Sequence, residues 1–159
     1  MPKMPKIEII CVGKLKEQYL KDAVKEYTKR LSRYTKLIIT ELVNEKIPPN
    51  PGLSQIEIAK AKEGERVLTK LSRLKGYVVF PLALEGETIT SQGFATLLNQ
   101  NPHCVFVIGA SHGLASSVLV AGRPVSFSSL TFSHQIMQLI LLEQIYRGYK
   151  ILSNEPYHK

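Results

Sequence analysis

Three stretches of the sequence hold side chains that could do chemistry, and all lie in its rear half. Gly109-Ala110-Ser111-His112-Gly113 follows an apolar run and matches Gly-x-Ser-x-Gly, the turn that exposes a serine nucleophile in α/β-hydrolases. Glu143 and His158 can formally complete such a triad. However, Glu143 falls inside a helical pattern, and no His-Gly-Gly-Gly segment follows a strand. The same glycines serve a turn that lets backbone approach a ligand or a neighbouring strand. The second stretch, Val125-Ser126-Phe127-Ser128-Ser129-Leu130-Thr131-Phe132, ends in Ser133-His134 and carries no charge before that histidine. An uncharged loop of hydroxyls and backbone suits a flat neutral ring such as adenine. It also suits an ordinary Ser/Thr loop with a helix cap at Ser133. The third combines Glu143-Gln144-Ile145-Tyr146-Arg147 with the tail Glu155-Pro156-Tyr157-His158-Lys159. Glu143 and Arg147 stand four residues apart and can pair on one helix face. Tyr157 and His158 are stacking and titrating side chains of the kind a base-modifying site uses, on a tail that otherwise frays.

Other chemistries lack their residues. His103, His112, His134 and His158 are not joined to a cysteine at metal-ligand spacing, so no metal site is expected. The turn after the first strand offers only Gly13, and neither a Gly-x-Gly-x-x-Gly nor a P-loop occurs.

The elements that must position these groups follow from hydrophobic periodicity. Ile7–Val12 reads as a buried strand. Lys16–Tyr34 reads as an amphipathic helix with Leu20, Val24, Tyr27, Leu31 and Tyr34 on one face. Leu37–Val43 is a second strand, and the proline-rich segment 44–53 a loop. Ser54-Gln55-Ile56-Glu57 predicts a capping box opening a helix to Lys70. Tyr77–Leu84 is a third strand, Glu85-Gly86-Glu87 a turn, and Thr90-Ser91 the cap of a helix to Asn99. Cys104–Ile108 is a fourth strand, Leu114–Ala121 a weak helix, Val125–Phe127 a short strand, and Ser133–Ser153 a final helix. Strands alternating with helices predict an α/β fold with a mostly parallel sheet flanked by helices. Ligands in such sheets sit beyond the carboxyl ends of strands, which marks the loops after Leu82, Ile108 and Phe127. The last helix is apolar on nearly all sides and must be covered on both. In so short a chain, a second subunit is one such cover.

The 159 residues suit a single domain, 1–159. At 44% hydrophobic and 21% charged the composition is globular. No apolar run reaches the ~18 residues of a membrane helix, and Met1-Pro2-Lys3-Met4-Pro5-Lys6 leads into no signal-peptide core. Cys11 and Cys104 each sit in an apolar run, as thiols do in a reducing cytoplasm. The net charge of +8 is uneven. Residues 1–36 hold ten Lys/Arg against four Asp/Glu, whereas residues 77–159 hold four against four. A basic front half is either the footprint of a polyanion, most often nucleic acid, or a solvated helix face.

Taken in order, the residues resemble a known family. The pieces are Val12-Gly13-Lys14-Leu15-Lys16, Glu63-Gly64-Glu65, Leu82-x-x-x-Gly86 and Phe106-Val107-Ile108-Gly109 with Gly113-Leu114. They continue with Ser126-Phe127-Ser128, Thr131-Phe132-x-His134-Gln135, Glu143-Gln144-Ile145-Tyr146-Arg147 and Pro156-Tyr157-His158-Lys159. In order and across nearly the whole length, they resemble the ribosomal RNA large subunit methyltransferase H family of the SPOUT class. The resemblance implies a C-terminal trefoil knot, a rare exception to unknotted chains, and a homodimer in the cytoplasm. It implies S-adenosylmethionine as methyl donor, held by Leu82, Gly109 and Phe127, Ser128, Ser129, Leu130, Thr131 and Phe132. It implies methylation of the N3 imide nitrogen of a pseudouridine in 23S rRNA within the ribosome. Arg147, Tyr157 and His158 then face the base, the tail reaching into the partner's site, with His158 as general base or relay and Arg147 stabilising charge on the ring carbonyls. Ala83, Ala110, Ser133 and Gln138 depart from the family's usual acidic residue, glycine, proline and arginine. Two other readings stand beside it, a non-catalytic RNA-binding knotted dimer and a small hydrolase using Ser111.

Overall fold

The computed structural model describes residues 4–159; the first three residues of the N-terminal segment read above lie outside them. Five strands and five helices follow one another as β1 (Lys6–Val12), α1 (Gln18–Leu31), β2 (Lys36–Leu42), α2 (Leu53–Leu71) and β3 (Val78–Thr88). The second half adds α3 (Ser91–Gln100), β4 (His103–Ile108), α4 (Ser116–Leu119), β5 (Val125–Ser126) and α5 (His134–Leu152). The strands form one sheet in the order β2-β1-β4-β3-β5, with every pairing parallel. The α/β class and the parallel sheet are as the alternation of elements predicts.

The strands β1 and β4 read as nearly continuous apolar runs because both of their faces are covered. On one face Ile7, Ile9, Cys11, Phe80, Cys104, Phe106 and Ile108 pack against α1, α3 and α5. On the other, Ile10, Val12, Val105 and Val107 meet Val67 of α2 and Val118 of α4. Burial pushes the thiols of Cys11 and Cys104 up to about 12, so both are protonated packing groups. Glu8, alone among the inner positions of β1, carries a charge. It is buried on the α2 face with the Lys70 ammonium 3.5 Å away.

Three local expectations shift. The capping box centred on Ser54 is displaced: α2 begins at Leu53 with Gly52 as its N-cap, and the Gly52 N–H donates to the Gln55 side chain at 2.9 Å. The turn read at Glu85-Gly86-Glu87 is strand instead. β3 continues to Thr88 through a register shift between Leu82 and Glu87, because Glu87 and Thr88 pair with Val125 and Ser126 of β5. Helix α4 shrinks to Ser116–Leu119.

The front end of α5 is tied to the turn after β1. Gly13 adopts φ +104° there, in the left-handed region that glycine enters freely. A Cβ on it would come within 3.5 Å of His134 Nε2. The Lys16 N–H donates to Gln135 Oε1 at 3.0 Å. Ser133 caps α5, its hydroxyl accepting the Ile136 N–H.

Candidate active site

A pocket of about 190 Å³ opens between α3, α5 and the loop after β5. It is lined by Ile89, Thr90, Ser91, Phe94, Phe127, Ser128, Phe132, Ile140 and Gln144. Of the residues singled out in the sequence, Phe127, Ser128 and Phe132 meet there. Phe127 sits edge-on against Phe94, centroids 5.1 Å apart. Ser129, Leu130 and Thr131 are exposed on the same loop. Ser128 shapes the loop, its hydroxyl accepting the Leu130 N–H while the Ser126 hydroxyl donates to its carbonyl. Leu82 and Gly109 do not line this pocket. Leu82 packs against the core beside Val125. Gly109 is pressed on the Gly113 backbone, 2.7 Å from where its Cβ would lie. Gln144, from the Glu143–Arg147 stretch, also lines the pocket, whereas Ile89, Ser91, Phe94 and Ile140 carry only the sequence signals of a core or of a helix cap. No charged side chain lines the pocket.

The pocket wall continues into a closed chain of polar groups. Ser91 Oγ donates to Gln144 Oε1 at 2.7 Å, and Gln144 Nε2 donates to Glu143 Oε2 at 2.8 Å. Glu143 Oε1 accepts from Arg147 Nε and Nη2, at 3.1 and 2.6 Å, and from the Tyr157 hydroxyl at 3.2 Å. Arg147 Nη1 lies 3.1 Å from His158 Nδ1, and His158 Nε2 lies 2.8 Å from the Gln92 side chain at the start of α3. Two donors of the planar Arg147 guanidinium converge on the single Glu143 Oε1, a fixed fork that a lysine ammonium does not have. That hydrogen bond raises Arg147 further above its ordinary value. Burial, then Tyr27 and the Glu143 charge, raises the Tyr157 hydroxyl, so it acts as a donor.

The tail reaches this cluster by folding back along its own helix. Glu155 anchors it, accepting from Tyr34 Oη at 2.7 Å and Lys150 Nζ at 3.0 Å. Tyr157 then stands edge-on to Tyr146 with centroids 5.0 Å apart, under the Arg147 guanidinium at 4.8 Å. Helix α1 joins from the far side. Tyr27 packs on Tyr146, and Arg30 lies over both rings.

The hydrolase arrangement is absent. Ser111 is exposed, with its hydroxyl 3.2 Å from the neighbouring His112 ring, while Glu143 and His158 are bound into the cluster above. Among the described residues no group of His, Cys, Asp and Glu could hold a metal, and no helix is long and apolar enough to cross a membrane. Of the positions that depart from the family pattern, Gln138 is buried on α5 and does not line the pocket. Ala110 bridges to Gly113.

His134, at the head of α5, is half-buried, and its pKa lies below the ordinary value, chiefly through burial and then through the Lys16 charge. An unfolded chain takes up this proton near pH ~6.5, so the fold binds fewer protons than the unfolded state below that pH. Stability contributed by neutral His134 is therefore fully present above the unfolded value of ~6.5 and is lost as pH falls from there through the lower folded-state pKa. An NMR titration should find the His134 midpoint below the ~6.5 reference, with Lys16→Met raising it only partway back. A midpoint at or above the reference value would overturn this.

The sheet, the pocket and the cluster on the last helix are built by a chain whose sequence matches the SPOUT methyltransferases. The chain belongs to that family: the family model described as "Predicted SPOUT methyltransferase" matches residues 5–158. Two relatives carry the name ribosomal RNA large subunit methyltransferase H. The protein of Clostridium beijerinckii is 46% identical over an alignment spanning 96% of this chain and 99% of the relative. That of Bifidobacterium animalis subsp. lactis is 48% identical with the same coverage.

Proposed function

We propose that this methyltransferase uses S-adenosylmethionine to methylate the N3 imide nitrogen of a pseudouridine in large-subunit (23S) rRNA, as the names of its relatives suggest for rRNA. The observation that carries the reading is the wall shared by pocket and cluster. Ser91 and Gln144 line the pocket, and Gln144 reaches Glu143 directly. A methyl donor and an acceptor base held on the two sides of that wall are neighbours.

The residues fit the donor. Phe94, Phe127 and Phe132 offer faces to an adenine, and Ser91, Thr90 and Ser128 offer hydroxyls without a repelling cation. The group supplies an electrophilic methyl on a sulfonium. At about 190 Å³ the pocket is below the ~300 Å³ at which ligand sites begin, so a whole nucleoside needs the exposed loop around Leu130 to give way. Transfer forms an N–C bond and breaks an S–C bond, so positioning of the two partners supplies most of the rate. Arg147 stabilises negative charge on the ring carbonyls as the imide proton leaves. Tyr157 donates and stacks, and His158 lies against the same base.

The chain works in the cytoplasm as one unit, residues 1–159, carrying the family's trefoil knot. In support of the knot, Gly122 and Gly86 leave room for backbone alone where segment 122–125 passes β3. A homodimer is supported by Leu130 (67% exposed) and Ile136 (42% exposed), apolar residues at the pocket rim and the head of α5. The rRNA phosphates meet α1, whose Lys21, Lys25 and Lys29 are exposed at four-residue steps, about 6 Å of rise each.

Calorimetric titration with S-adenosylmethionine tests the donor site. Saturable binding is expected, weakened at least tenfold by Ile140→Trp, which fills the pocket, and unchanged by Ser111→Ala. Equal binding by the Ile140 variant would move the cofactor elsewhere. Labelled methyl transfer to ribosomes then tests the acceptor, and binding without transfer would leave the non-catalytic RNA-binding reading.

A further inference from the structure

Hydrogen-bond chemistry at His158 restricts what that residue can do. A guanidinium has donors and no acceptor. Arg147 Nη1, 3.1 Å from His158 Nδ1, therefore meets a lone pair there, and Nδ1 carries no proton. The ring is then neutral with its proton on Nε2. That proton points at the Gln92 amide, whose nitrogen stands 2.8 Å away; two donors cannot face each other, so the amide, whose oxygen and nitrogen exchange places by a half-turn, presents its oxygen there as acceptor. Gln92 stands next to Ser91, which lines the pocket, in the first turn of α3. Its side chain is held by the helix that also closes the pocket. Thr90 Oγ1, accepting the Gly93 N–H at 3.0 Å, fixes the start of that turn.

We infer that Gln92 is a positioning residue which, opposite Arg147, locks His158 in the neutral Nε2–H tautomer. In that form neither ring nitrogen has a free lone pair, so His158 acts as a hydrogen-bond donor rather than as the general base. As the base enters, the Nε2–H exchanges the Gln92 oxygen for a carbonyl oxygen of the pyrimidine. It then stands beside the Arg147 guanidinium as a second donor to the charge that builds when the imide proton leaves to solvent. Glu143 keeps Arg147 aimed, and the Tyr157 hydroxyl, itself a donor to Glu143, does not compete for the imidazole. The role in catalysis rests on the pseudouridine reading above, whereas the tautomer does not.

The test therefore has two arms. Long-range nitrogen–proton spectra of the free full-length protein, with His158 assigned through His158→Asn, should show Nε2 protonated and Nδ1 as acceptor. Gln92→Leu should give a mixture of tautomers, and Gln92→Glu, whose carboxylate oxygen also accepts, should restore the single form. An Nδ1–H tautomer in the wild type, or no change in Gln92→Leu, overturns the lock. In methyl transfer, kcat should fall about tenfold in Gln92→Leu and recover in Gln92→Glu, with the dissociation constant for S-adenosylmethionine unmoved. An unaltered kcat in Gln92→Leu overturns the positioning role. A wild-type protein that shows the tautomer yet methylates no ribosomal substrate sinks the functional reading and leaves the lock standing.

Discussion

Arg147→Lys should lower kcat for methyl transfer roughly a hundred- to a thousandfold, the loss that follows removal of one well-placed donor to a developing anion. Arg147 works in three directions at once. Nε and Nη2 grip Glu143, Nη1 reaches His158 Nδ1, and the guanidinium plane covers Tyr157. A lysine ammonium keeps the charge but offers no planar fork. It can hold Glu143 or His158, not both. Stability should change little. Both side chains are about a quarter exposed, at 25% and 22%, so the pair contributes no more than about 1 kcal/mol. The contrast is diagnostic. A lysine variant that melts like the wild type and binds S-adenosylmethionine normally, yet fails in single-turnover transfer to ribosomes, places Arg147 on the acceptor side of the wall. Transfer within twofold of wild type would remove it from the site.

How much of this was legible in the sequence depended on how local the signal was. β1 and β4 announced themselves as short apolar runs, and α1 by its three- and four-residue spacing. The pairing of Glu143 with Arg147 was legible for the same reason, since both sit on one helix. β3 was misjudged at its end because Glu85-Gly86-Glu87 has the composition of a turn. What makes it strand is β5, almost forty residues later, whose Val125 and Ser126 pair with Glu87 and Thr88. The pocket was half legible. The uncharged Ser/Phe loop marked one wall, but Phe94 and Ile140 look like any buried face residue until α3 and α5 are packed together. Gln92 carried no signal at all, because its partner is on the tail. The tail has the composition of an end that frays. Glu155, held by Tyr34 from the turn after α1 and Lys150 from α5, turns it back, and such a long-range anchor has no periodicity to betray it.

The largest expected loss of stability comes from the smallest substitution, Gly122→Ala. A Cβ there would lie 2.4 Å from the Val79 carbonyl oxygen and 2.9 Å from Pro81 Cδ. The obstacle is strand backbone, which cannot rotate away as a side-chain tip can. The next residue makes matters worse, because the Arg123 N–H donates to that same Val79 oxygen at 2.8 Å. Pushing residue 122 outward breaks that bond and lifts the chain leading into β5. Overpacking of this kind costs about 3 kcal/mol, a fall in Tm of roughly 6–12 °C for a chain of this size. Gly86→Ala meets the same segment from the other end, 2.6 Å from the Val125 nitrogen. If both alanines act by displacing segment 122–125, the double variant should lose clearly less than the sum of the singles, since the second intrusion enters space the first has opened. The displacement should also reach the site, because β5 delivers Phe127 and Ser128 to the pocket. Affinity for S-adenosylmethionine should therefore fall in the fraction that stays folded, as calorimetry below the melting transition can show. Chemical denaturation of the two singles and the double settles the point. Full additivity would mean the glycines relieve separate clashes, and a Gly122→Ala variant within about 0.5 kcal/mol of wild type would mean the crossing yields far more readily than a strand backbone should.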